Sequence, residues 1–132
     1  MSTKKRQQGI QLSPYISGVC QLFEDSIADH SWSKNETIRM EKLTQDYLHK
    51  LELEDLKYAD RAKIATQLTK CRQLRRGYKD TAEILEPLVQ FLNSDRGKNL
   101  HNLLKEALGK TRQAEKRMEG RVYYPRVLVE ED

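Results

Sequence analysis

Cysteine is nearly absent from this chain, and that absence excludes a disulfide-built fold. Cys20 and Cys71 are its only two cysteines. They lie far apart, form no CxxC and have no histidine at metal-ligand spacing, so two buried, reduced thiols are the expectation, with neither disulfide nor metal site. Glycine and proline are also scarce, at six and three residues. No P-loop, GxGxxG or HExxH is present, so the common phosphate cradles and zinc-hydrolase helices are excluded. His30, His49 and His101 stand in no arrangement that would activate a serine, a cysteine or a water. Catalysis is therefore not expected, and neither is a cofactor or a metal. No apolar run reaches the length of a membrane span, and the start of the chain lacks the apolar stretch of a signal peptide. The expectation is a soluble, intracellular protein with no membrane partner.

What remains is charge and helical periodicity. One third of the residues are charged and 37% are hydrophobic. At 132 residues this implies a single domain (1–132) with a thin core, one that needs a long helical seam or a second copy to bury enough surface. The formal charge is +4 with a sequence pI near 9.1, which favours polyanionic partners: nucleic acid, nucleotides or an anionic surface. The charge is unevenly placed. Residues 24–55 are net acidic. Residues 61–79 carry Arg61, Lys63, Lys70, Arg72, Arg75, Arg76 and Lys79 without one acid. Residues 110–126, KTRQAEKRMEGRVYYPR, set six bases against Glu115 and Glu119. Such runs are often plain solvated helix faces, and the acidic and basic halves can also pair within the chain or between copies.

The periodicity predicts an all-α fold. Residues 1–11 are polar and loose. Ser13 followed by Pro14 signals a helix start. Tyr15, Ile16, Val19, Leu22, Phe23 and Ile27 form the stripe of a first helix ending near His30. Ser33 and Glu36 make a capping-box pattern that opens a second helix, with Met40, Leu43, Tyr47 and Leu51 as its stripe and a connection over 53–57. Residues 58–120 read as a long helical hairpin. Its first arm carries a seam of Ile64, Leu68, Cys71, Arg75, Tyr78, Ala82, Leu85, Val89 and Leu92 in alternating steps of four and three. Gly77 weakens that arm and Pro87 should kink it. Asn93–Lys98 reads as a turn and residues 99–119 as a fourth helix, with Gly120 as its C-cap. An extended tail, 121–132, follows. The fold expected is a helical hairpin or small bundle with one long, kinked, coiled-coil-like helix, assembled as a homo-oligomer.

Arg75 and Tyr78 place polar groups where a seam wants leucine. They serve either register control or a polar pocket. Two ligand classes fit the basic residues. A polynucleotide would use Arg61, Lys63, Lys70, Arg72 and Arg76 along one face of the helix, with a steep salt dependence. A small nucleotide would need only a few arginine forks, one or two rings and an amide. Phe91, Asn99, Asn102, Arg117, Arg121, Tyr123, Tyr124 and Arg126 supply these if the tail folds back; core packing is the competing role for Phe91 and Tyr123.

Three strings in order, CRQLRRGYKDTAEILEPLVQFL, KNLHNLLKEALGK and RQAEKRMEGRVYYPRVL, resemble the phage anti-Thoeris sponge family, the first described kind of Thoeris anti-defence protein. The resemblance spans roughly residues 60–128; the first two helices add nothing to it. It implies a non-catalytic homo-oligomer, a dimer or higher, in the cytoplasm of a bacterial host. Such proteins enclose a cyclic ADP-ribose-type signal between subunits, and some hold other cyclic nucleotides at separate sites. The effector of the immune system is thereby starved of its activator. On this resemblance Phe91 would stack on a base, Asn102 or Asn99 would read its edge, Arg117 and Arg121 would hold phosphates, and Arg72 would contribute from the preceding helix.

Overall fold

The structure, a computed structural model, describes residues 10–121 and Val127. Among these residues it is all helical: α1 (Ser13–Leu53), α2 (Tyr58–Asn93) and α3 (Asp95–Glu119). Tyr123, Tyr124 and Arg126, with most of the expected tail, lie outside the described residues.

α1 is one unbroken helix of 41 residues, where the sequence suggested two. The capping box does not form: Glu36 pairs with Arg39 at 3.1 Å instead of turning back to Ser33. Tertiary packing overrides the local stop signal. His30 is hydrogen-bonded to Glu86 of α2, Trp32 meets Tyr78 edge-to-face at 5.2 Å, and Ser33 is 2% exposed. A buried stretch of helix held at three consecutive levels does not open for a cap.

The register follows from contacts along the pair. Tyr47 bonds Gln67, Arg75 bonds Glu41 and His30 bonds Glu86. α2 therefore runs antiparallel to α1 and lies along its C-terminal two-thirds. The predicted seam of α2 faces α1: Ile64, Cys71, Ala82, Val89 and Leu92 are buried, and Leu68, Arg75, Tyr78 and Leu85 are half-buried. Opposite them α1 buries Met40, His30 and two serines, Ser26 and Ser33, which stand level with Val89 and Ala82. Small residues there let the helix axes approach closely. α2 continues unbroken through Gly77 and Pro87.

Ser94 alone separates α2 from α3, a tighter corner than the six-residue turn expected. Its hydroxyl accepts from the Gly97 N–H at 3.1 Å and so caps α3. Gly97 is buried against the end of α2, where a Cβ would stand 1.9 Å from the Phe91 carbonyl oxygen. α3 then runs antiparallel to the N-terminal third of α1. His101 packs edge-to-face on Phe23 at 5.6 Å, and Glu115 reaches the start of α1. α3 covers the face of α1 carrying Ile16, Cys20, Phe23 and Ile27. It leaves Tyr15 and Leu22 of the predicted stripe 73% and 56% exposed. The N-cap position of α1 is Leu12, not Ser13, and the capping acceptor comes from α3: Leu12 and Ser13 N–H both donate to Glu115 Oε2 at 3.1 Å. Gly120 does close α3, at φ −86°, a value any residue adopts. Both cysteines are free and buried.

Candidate functional site: an arginine-lined groove on one flank of the helix pair

Two antiparallel helices leave a furrow on each flank of their contact line, and here the flanks differ in chemistry. On the first, Arg72, Arg75 and Arg76 rise from two successive turns of α2. With Gln73 and Thr69 they face Glu41, Thr44 and Gln45 of α1 across a groove of about 530 Å³. The helical repeat explains the cluster, since i, i+3 and i+4 share a face. Arg75 Nε is held by Glu41 at 3.1 Å, which fixes the middle guanidinium. Arg72 and Arg76 are exposed, and among the described residues neither has an ion-pair partner. The groove continues past Arg75 toward Lys34, Lys79 and Glu86, around Ile38 and Ala82. Three guanidinium groups with two carboxamides and two hydroxyls form a donor-rich wall suited to phosphate oxygens and polar base edges. Among the described residues no aromatic ring lines it.

The other predicted residues lie elsewhere. Phe91, 41% exposed, ends α2, and Asn99 and Asn102 are exposed on the first turns of α3 at the same end of the pair. Arg117 lines a second shallow cavity of about 440 Å³ with Gln113 and Lys116 near the end of α3, and Arg121 is exposed just beyond. Arg72 is level with Thr44, and Glu115 is level with Ser13, some thirty residues of α1 away. At about 1.5 Å rise per residue that is about 45 Å. One copy therefore does not bring Arg72 and Arg75 together with Arg117 and Arg121. Nor do the basic residues of 61–79 share one face. Lys70 lines the opposite flank, with Arg39, Leu43 and Leu74, and Lys63 stands one heptad before it. Arg76, Gln45 and Gln73 complete the groove, and the sequence reading of a small-ligand site does not include them; the i+4 spacing of Arg76 from Arg72 is the signal that points to the first of them.

Two carboxylates are electrostatically tuned. The His30 hydrogen bond, with Gln90 and the nearby charge of Lys34, holds Glu86 below the usual carboxylate range against partial desolvation. The Ser13 hydroxyl, then the Ser13 and Leu12 N–H groups, do the same for Glu115. Both roles are structural: each ties α1 to another helix. Among the described residues His101 Nε2 is buried without a hydrogen-bond partner; Glu24 Oε1, at 3.7 Å, is too far for a bond. Among the described residues no three His, Cys, Asp or Glu side chains gather as metal ligands, and no helix is long and apolar enough to cross a membrane. Compared with known protein families, characterised proteins and solved structures, the chain matches none.

Proposed function

We propose that this protein is a non-catalytic sponge that binds and sequesters a small cyclic nucleotide of the cyclic ADP-ribose type, and that it serves a phage by blocking Thoeris activation in the bacterial cytoplasm. The observation that carries the reading is the Arg72–Arg75–Arg76 wall: three guanidinium groups on one face, one pre-set by Glu41, around a space of about 530 Å³. Arg72 and Arg76 take the phosphates, and Gln45 and Gln73 read the base edge. The resemblance of residues 60–128 to the anti-Thoeris sponge family supplies the class of nucleotide. Lys116 and Arg117 form a second phosphate-binding position, and homo-oligomerisation multiplies the sites held by one particle.

The test is titration calorimetry of the full chain with the cyclic ADP-ribose isomers, followed by mass spectrometry of the heat-released ligand. Saturable binding and intact recovery are expected. Absence of binding by every isomer, or recovery of a converted product, refutes the reading. The competing polynucleotide reading is weakened by the split of its basic residues between two flanks. A gel shift that weakens steeply with salt would restore it.

A further inference from the structure

The row of side chains that α1 buries under α2 does not stop where α2 stops. Tyr15, Val19 and Leu22 lead into Ser26 and Ser33 in helical steps of four, three, four and seven, so all five share one face of α1. Ser26 and Ser33 are buried, whereas the three apolar side chains before them are exposed. α3 has a matching edge: Arg96, Leu100, Leu103, Ala107, Ala114 and Met118 repeat at the same kind of spacing, beside the row of Gly97, His101 and Leu108 that meets α1. Leu103 and Met118 are 53% and 61% exposed. Gly97, packed on the last turn of α2, marks the side of α3 that looks along the line of α2. The two edges turn to that same side and frame an apolar trough. It continues the line of α2 and stands open because α2 ends at Asn93.

The chain itself carries a segment of the right length and chemistry. Arg121 is followed by VYYPRVLVEED, apolar up to Val129 but for Arg126, then acidic at Glu130, Glu131 and Asp132. It starts at the open end of the trough, because α3 ends beside the start of α1, where Glu115 holds the Leu12 and Ser13 N–H groups. We infer that residues 122–132 turn back after Gly120 and lie extended in this trough, antiparallel to α3, with their acidic end at Arg96. The lengths agree. Arg96 lies twenty-five residues before Arg121 on or just past α3, about 37 Å at about 1.5 Å per residue. Glu130 and Asp132 lie nine and eleven residues after it, about 30 and 36 Å at about 3.3 Å per extended residue. The charges agree too. Arg96 is exposed, and among the described residues it has no ion-pair partner. No carboxylate stands on its row of α3. Side chains alternate along an extended chain: Val127, 89% exposed, faces outward, and Tyr124 and Leu128 face the trough. Leu128 then falls between Leu103 and Val19.

Nuclear Overhauser spectroscopy of the full chain, with leucine and valine methyls labelled and no nucleotide present, tests this. Contacts from Leu128 to Leu103 and Val19 are expected. Leu103→Asp, a change at a half-exposed side chain, should abolish them with unchanged far-UV circular dichroism, and should speed amide exchange over residues 126–129 by at least about tenfold. Arg96→Glu should speed that exchange as well, and adding Glu130→Arg with Glu131→Arg should slow it again. A wild type without the methyl contacts overturns the inference. Contacts that survive Leu103→Asp overturn the face, and failure of the charge reversal overturns the register. Contacts seen only between differently labelled copies overturn docking within one chain. The inference is independent of the sponge reading: a docked tail in a chain that binds no nucleotide refutes only that reading, and an undocked tail in a chain that binds one refutes only this one.

Discussion

Replacing Gly97 with alanine should be among the most damaging small changes available to this chain. A Cβ at that position would lie 1.9 Å from the Phe91 carbonyl oxygen, 2.6 Å from its carbon and 2.7 Å from the Leu92 Cα. Ordinary contact begins near 3.4 Å, so α3 must retreat by more than an ångström. All three obstructing atoms are backbone, and no side-chain rotation relieves the clash. Overpacking of this kind costs about 1–3 kcal/mol, and losing the Ser94 hydroxyl cap, if the corner opens, adds about 1 kcal/mol. The gain from alanine's helix propensity is about 1 kcal/mol, so the net expectation is a loss of about 2 kcal/mol. Gly109 is the control: it sits inside α3, and a Cβ added there would have nothing within 4 Å, so alanine should stabilise by about 0.5–1 kcal/mol. Urea unfolding followed by circular dichroism reads both variants. Equal, mild effects of the two substitutions would refute the claim that the α2–α3 corner requires direct backbone contact.

Acid should destabilise the protein through Glu86 and Glu115. Both have folded-state values depressed below the ordinary 4.5, so their contribution is complete above that value and is lost as the pH falls through the depressed ones. Urea midpoints should fall as the pH is lowered below about 4.5. In Glu86→Gln and Glu115→Gln that fall should be shallower, and in the latter amide exchange at the first turn of α1 should speed up selectively. A pH profile identical to the wild type in both variants would contradict these roles. Met40, 2% exposed at the α1–α2 contact, should cost about 2–5 kcal/mol on replacement by alanine, measured by the same unfolding assay; a cost under about 1 kcal/mol would mean the contact is looser than its burial implies.

The seam of α2 was legible because a heptad of apolar side chains reports directly on a long antiparallel contact, and Arg75 kept its place in it by pairing with Glu41. The continuity of α1 was not legible. Ser33 is read locally as a cap, but its burial is decided by α2, whose Ala82 stands level with it forty-nine positions later in the chain. The same blindness hid the true cap of α1, because Glu115 is about a hundred residues from the amides it accepts from. On the site side, an arginine cluster on α2 could be read from spacing alone. Its opposite wall, Glu41, Thr44 and Gln45, could not, since only the antiparallel register brings those residues across from it. The resemblance would set Arg72 with Arg117 and Arg121 around one ligand; within a single copy the length of the helices holds Arg72 and Arg117 apart.

That separation decides how binding should respond to mutation. Groups more than about 10 Å apart with no shared partner act additively, within about 0.5 kcal/mol, and Arg72 and Arg117 are about 45 Å apart along α1. Within one copy the two arginine clusters are therefore separate positions rather than two walls of one pocket. Arg72→Ala with Arg76→Ala should abolish nucleotide binding at the groove and leave any binding at the Lys116–Arg117 position untouched; Arg117→Ala should do the reverse. Calorimetry of the single-site variants and their combination forms a cycle whose coupling energy should lie within about 0.5 kcal/mol of zero. A coupling of about 1–3 kcal/mol would refute the separation. It would require a pocket closed between copies, with Arg117 of one chain reaching the groove of another.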